Sequence, residues 1–197
     1  MKPLPRKFYM RHPTEVAPEL LNKLLVRKDG RVGRIVEVEA YAGDEDPAAH
    51  SFRGETVRNA TMFGPGGYLY VYFTYGMHWC ANAVCGDTGK GYGVLLRAME
   101  PLEGLELMGE ARKHPSRPRD LASGPGRLGQ AMGMDKSFDG ADLVTADRGI
   151  WIASDGLLPP AFPGITPRIG IRHAAELPWR WQVRGNIHVS GRKLKED

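Results

Sequence analysis

Polar and apolar positions alternate with period two most clearly between Arg34 and Gly43. Val36, Val38 and Ala40 fall on one face there and Ile35, Glu37, Glu39 and Tyr41 on the other, the pattern of a strand with one face in a core. The turn formers Gly43 to Pro47 follow at once, so Glu39 and Tyr41 are expected near the end of that strand, where a cleft can open. Upstream, Val16, Leu20, Leu21 and Leu24 recur at helical spacing behind Thr14, the expected cap. Leu25 to Arg27 reads as a strand, and Asp29-Gly30 is a hairpin signal leading into the Glu39 strand, which is therefore an antiparallel element.

Downstream, the aromatic and β-branched run Tyr68 to Thr74 predicts a strand that places Tyr70 and Tyr72 on one face and Leu69, Val71 and Phe73 on the other. Tyr75 stands just before Gly76 and is expected at a turn tip. Met77 to Val84 and Gly91 to Met99 predict two more strands, the second with Leu95 and Arg97 on one face. An arginine inside an apolar strand must find an anion, and Glu39 or Glu37 is the candidate. Pro101 to Lys113 reads as a helix with Leu102, Leu105, Leu107 and Met108 inward, and Ser123 as the cap of a helix running through Met132. Gly149 to Ala153, Arg168 to Ile171 and Arg180 to Arg184 complete the strand candidates. Residues 1–13 read as a basic, irregular arm, 14–190 as the domain and 191–197 as a polar, frayed tail.

Composition narrows the class. The chain has 197 residues, 42% hydrophobic and 25% charged, which suits one soluble globular domain able to bury about 70% of its unfolded surface. No apolar run is long enough to span a bilayer and the first residues lack the apolar core of a signal peptide, so an intracellular location is the default expectation. Cys80 and Cys85 stand alone, which argues against a disulfide framework or structural zinc and for two buried thiols. A net charge of +4, with 18 arginines to 9 lysines, permits an anionic partner.

Glu39 near a strand end, with Tyr41, His50 and a tyrosine cluster at hand, is a candidate catalytic acid or base. The competing reading is an edge strand with a solvated polar face. Glu37, Glu39, Asp44, Glu45, Asp46 and His50 also invite a magnesium-dependent nuclease. No lysine lies between Lys28 and Lys90, which favours water over an amine as nucleophile. Free amides near Gly124 and Gly126, in Ser123-Gly-Pro-Gly-Arg127, suit a phosphate.

Taken together, Glu39-Ala-Tyr41, His50, Tyr70-Val-Tyr72, Tyr75-Gly-Met77, Asn82, Leu95-Leu-Arg97-Ala-Met-Glu-Pro101, Ser123-Gly-Pro125 and Arg168-Ile-Gly-Ile171 resemble, in order and register from about Val16 to Val189, the alkyladenine (3-methyladenine) DNA glycosylase family of the Aag/MPG type. The resemblance implies a single α+β domain with a curved, mainly antiparallel β-sheet flanked by helices. It implies a monofunctional, metal- and cofactor-free glycosylase that acts as a monomer on damaged purines in double-stranded DNA. By position, Glu39 matches the general base, and Arg97 with the main-chain carbonyl of Ile169 the groups holding the attacking water. Tyr41, His50, Tyr72 and Leu95 match the base pocket, Asn82 the side chain that hinders guanine-type bases, and Tyr75 the wedge inserted into the duplex. Ser123, Gly124 and Arg127 match backbone contacts in a stretch that has diverged. A metal-dependent nuclease and a non-catalytic lesion-binding protein are the alternatives.

Overall fold

The structure, a computed structural model, describes residues 1–191, 194 and 195. Among the described residues, nine strands form one curled, wholly antiparallel sheet. They are β1 (Leu24–Arg27), β2 (Val32–Ala42), β3 (Tyr68–Thr74), β4 (His78–Cys85), β5 (Tyr92–Glu103), β6 (Ala141–Asp142), β7 (Ile150–Ala153), β8 (Gly164–Thr166) and β9 (Arg180–Gln182). The path runs β6-β3-β4-β5-β2-β1-β7, with β9 also paired to β2 and β8 to β9. Among the described residues four short α-helices accompany it: α1 (Arg6–Tyr9), α2 (Pro13–Leu20), α3 (Leu105–Ala111) and α4 (Pro125–Ala131). This is the α+β domain with a curved antiparallel sheet that the sequence implied.

The main core lies on one face of the sheet. Val16 and Leu20 of α2 and Leu128 of α4 pack there with Val38, Ala40, Leu69, Val71, Ala81, Ala83, Val94 and Leu96 from the four central strands. Period two then forces Glu39, Tyr70, Asn82 and Leu95 to the other face. They stand in one row, since Tyr70 pairs with Asn82, Asn82 with Leu95, Leu95 with Glu39 and Glu39 with Arg180.

β2 departs from the expected alternation. Both of its faces are buried, and the pairing with β5 is irregular between Ile35 and Glu37 and again before Val38. The extra residue at Val36 is a β-bulge. Ile35 therefore joins Val38 and Ala40 in the main core, while Val36 packs with Ala98 and Val189 on the side of the glutamates.

Other expectations also need correcting. The α2 cap is His12, whose Nδ1 accepts from the Thr14 N–H, and Pro13 opens the helix. β5 continues through Pro101 to Glu103, so α3 is short; Met108 is buried whereas Leu102, Leu105 and Leu107 face solvent. Ser123 bridges Ala98 and caps nothing; Gly124, at φ 125, is the residue before α4. Arg168 to Ile171 is bent and not a strand, because Gly170 has φ 79 and the Arg168 side chain turns inward to Asp46. Residues 1–13 are anchored: Tyr9 is fully buried, and the Leu4 N–H donates to Ile152 C=O at 2.8 Å. In the expected tail, the Gly185 N–H donates to Leu194 C=O, and residues 192, 193, 196 and 197 lie outside the described residues.

Candidate active site

Asn82 and Leu95 of this row line a cavity of about 170 Å³. Tyr41, His50, Tyr72, Tyr75, Asn82, Leu95, Arg97 and Ile169 all line it, with Cys80, Met62 and Pro125 among their neighbours. Residues separated by up to 130 positions are thus brought together, and every catalytic, pocket and wedge residue expected from the sequence is at or beside one hollow.

Glu39 is fully buried beneath it. Oε1 accepts from the Ile169 N–H at 2.7 Å, and Oε2 from the Tyr41 hydroxyl at 2.9 Å. Arg97 Nη1 lies 3.1 Å from Oε2. Two hydrogen bonds and this ion pair hold the carboxylate in place, and with about four acceptor sites it keeps a direction open for a water proton. Burial alone would lower the Arg97 pKa, but the attraction of Glu39 and then Glu37 outweighs it and the net direction is upward, fixing the guanidinium as a cation. Burial and the Glu39 charge push the Tyr41 phenol well above its ordinary value, so it stays a donor.

The walls are aromatic. Tyr72 stacks on Tyr70 with ring centroids 5.3 Å apart at 17°, and the His50 ring meets Tyr72 edge-on at 4.5 Å. Crowding of the His50 ring, with the nearby Arg58 charge, lowers its pKa. Behind Tyr41, the Arg168 guanidinium sits 4.7 Å from the ring centroid. Arg168 itself donates to Asp46 Oδ1 at 2.8 Å and to the Ala40 carbonyl at 2.9 Å, which ties the segment carrying Ile169 to the end of β2. Burial raises the Cys80 thiol to about 11, which leaves it a poor nucleophile.

Tyr75 projects from the β3–β4 turn, 80% exposed. Tyr75 has φ 51 and Gly76 φ 64, and the Met77 N–H donates to the Thr74 carbonyl at 3.2 Å. Two successive left-handed residues are what a primed hairpin turn demands, and Gly or Asn is the ordinary occupant. A tyrosine in that conformation is strained by about 1–2 kcal/mol.

The acidic cluster read as a candidate magnesium site is dispersed among cations and a phenol. Glu37 and Glu39 face Arg97 and Arg180, Asp46 faces Arg168, and Glu45 accepts from the Tyr92 hydroxyl. Among the described residues no three His, Cys, Asp or Glu side chains are arranged to hold a metal ion. Of the expected backbone contacts, Arg127 pairs with Asp120 at 3.0 Å, and Arg117 and Arg119 share that aspartate. Together with Ser123 they border a polar groove, which Gly124 does not line. Sequence reasoning did not anticipate Arg180 and Ser190 behind Arg97. Arg180 carries a related signal, a guanidinium flanked by Trp179 and Trp181 in a strand candidate.

No helix among the described residues is long and apolar enough to cross a membrane. Comparison with known proteins gives a consistent result. Residues 7–187 match the family Methylpurine-DNA glycosylase (MPG). A Burkholderia lata protein named "Putative 3-methyladenine DNA glycosylase" is 63% identical over 188 residues, covering 95% of this chain and 91% of that one. Proteins of the same name from Koribacter versatilis and Methanoculleus marisnigri are each 47% identical, covering 98% and 96% of this chain and 95% and 99% of theirs. With an aromatic hollow above a buried, three-times-held carboxylate, and a family match over most of its length, the chain belongs to the methylpurine-DNA glycosylase family.

Proposed function

We propose that the protein is a monofunctional glycosylase that removes alkylated and deaminated purines, of the 3-methyladenine, 7-methylguanine, hypoxanthine and ethenoadenine class, from duplex DNA. A base inside the stack cannot be reached, so it is swung into the hollow while Tyr75 fills the gap it leaves. Strain at an exposed tyrosine supports this role, since such conformations persist where function requires them.

Tyr41 and Tyr72 hold the extruded purine by stacking, which favours bases made cationic by alkylation at N3 or N7. Asn82, directly across from Tyr70 and Leu95, sits where it hinders a guanine-type amino group. Glu39 takes a proton from a water that Arg97 and the Ile169 carbonyl orient. The hydroxide bonds to the sugar carbon, the N-glycosidic bond breaks, and its electron pair leaves with the base. Until it takes that proton, the ionised Glu39 also stabilises the positive charge that develops on the sugar. Ser123, Gly124 and Arg127 contact the DNA backbone, the protein acts as a monomer with DNA inside the cell, and no cofactor takes part.

The observation that carries this reading is Glu39 held by two hydrogen bonds and an ion pair below an aromatic cavity whose mouth bears an exposed tyrosine. Single-turnover incubation with duplex containing 7-methylguanine or hypoxanthine, with and without alkali, tests it. Strand breaks appearing only after alkali, unaffected by chelator, are expected. Breaks without alkali would replace hydrolysis by a lyase, loss with chelator would favour a nuclease, and binding without abasic product would make the protein a lesion binder.

A further inference from the structure

One fully buried carboxylate at the site has no part in the mechanism above. Glu37 lies on β2 two residues before Glu39, and both of its oxygens are engaged. Oε1 accepts from Arg97 Nε at 2.7 Å, Arg180 Nε at 2.7 Å and Ser190 Oγ at 3.0 Å; Oε2 accepts from the Ser190 N–H at 2.6 Å. Arg97 Nη2 in turn reaches Ser190 Oγ at 3.3 Å. Nε thus donates to Glu37 and Nη2 to Ser190, and only Nη1 faces Glu39, as an ion pair.

This division of the guanidinium has a chemical consequence. An arginine free to choose presents two parallel N–H groups to a carboxylate. Such a fork on Glu39 would add a donor to a group already bound by Ile169 and Tyr41, and occupy the acceptor direction that a water proton needs. Glu37 prevents it by holding the opposite edge of the guanidinium. Arg180 balances the added negative charge, so two carboxylates and two guanidiniums cancel within the cluster. Leaving either glutamate here without its cations would carry a large desolvation cost.

We infer that Glu37, fixed by Arg180 and Ser190, is a positioning residue for the glycosylase reaction that sets the orientation of Arg97 relative to Glu39. The inference rests on the roles given to Glu39 and Arg97 under the proposed function. Misplacing a reacting group by about 1 Å costs on the order of 10²-fold in rate, so Glu37→Gln should lower single-turnover base release by about that factor while leaving lesion-duplex affinity within about threefold.

A double-mutant cycle separates positioning from simple structural support. Rates and affinities are measured for wild type, Glu37→Gln, Arg97→Gln and the double variant. Because Glu37 acts through Arg97, Glu37→Gln should add almost nothing to the loss in the Arg97→Gln background. An equal further loss in both backgrounds, or a parallel fall in rate and affinity, would overturn the inference. Wild-type rates in Arg97→Gln would instead overturn the role given to Arg97, whereas loss in Arg97→Gln with none in Glu37→Gln would overturn the positioning role alone. Should Glu37→Gln fail to fold, Ser190→Ala takes its place in the cycle, since it removes the Oγ contacts without stranding a charge. One hydrogen bond predicts about a 3- to 10-fold slower release, and an unchanged rate would refute the inference.

Discussion

The Ile169 amide donates to Glu39 Oε1 at 2.7 Å across 130 positions of sequence, so the loop after β8 holds the acid on β2. Replacing the carboxylate by an amide keeps the shape and removes the base. Glu39→Gln is expected to slow base release by about 10²- to 10⁴-fold, with lesion binding changed only a few-fold. Rate constants set beside gel-shift or anisotropy affinities check this, and equal losses in both would contradict the assignment.

Strain and exposure at Tyr75 act in opposite senses on stability and function. Tyr75→Gly relieves a left-handed φ of 51 while losing about 0.4–1 kcal/mol to unfolded-chain freedom, so the thermal midpoint should hold or rise. Affinity for lesion duplex should fall at least about tenfold, as expected of a buried aromatic contact. Unchanged fluorescence of an extruded reporter base would remove the wedge role.

Asn82 is buried and lines the cavity. Shortening it to serine should admit purines carrying the guanine-type amino group at C2, seen as increased release of guanine relative to hypoxanthine. A substrate spectrum matching the wild type would refute selection at this position.

His50 titrates below its ordinary value of 6.5, because desolvation and then Arg58 oppose the charged ring. Protonation therefore favours the unfolded chain. This contribution is absent above about pH 6.5, and stability falls as the pH drops from there towards the folded-state value, below which the loss levels off. NMR titration of the ring should give a midpoint under 6.5, and His50→Gln should flatten that part of the stability curve. A midpoint at or above 6.5 would contradict the packing described.

Packing of α4 on β4 leaves no room at Gly129, where an added Cβ would come within 2.0 Å of the Trp79 carbonyl oxygen. Gly129→Ala gains helix propensity but should still destabilise the fold by about 1–3 kcal/mol. Denaturant melts decide the point, and a stabilised variant would show that the helix can lift away freely.

Local signals predicted much of this arrangement. The Asp29-Gly30 hairpin, the α2 stripe at Val16 and Leu20 and the shared face of Tyr70 and Tyr72 depend on near neighbours, which the chain displays directly. Arg97 required only the cost of an unpaired buried cation to be matched with Glu37 and Glu39. Less legible were features set by tertiary contact. Leu102, Leu105 and Leu107 carry a helical apolar spacing, yet β5 extends through Pro101 because it continues to pair with Val32 and Gly33. Arg168-Ile-Gly-Ile171 looks β-like, yet Asp46 draws its arginine inward. Ser190 gives no local hint of its bond to Glu37, 153 positions away.

The surplus residue at Val36 makes the position of the acid a question of parity. Downstream of it, odd-numbered side chains face the hollow and even-numbered ones the oily interior; upstream, Ile35 obeys the reverse rule. Deleting Val36 would restore a uniform count with Ile35 still inward and both glutamates still facing the hollow, whereas deleting Val38 would turn one of the glutamates into the interior. A change of length by one is thus absorbed at the bulge, while between the two glutamates it would cost the acid its place.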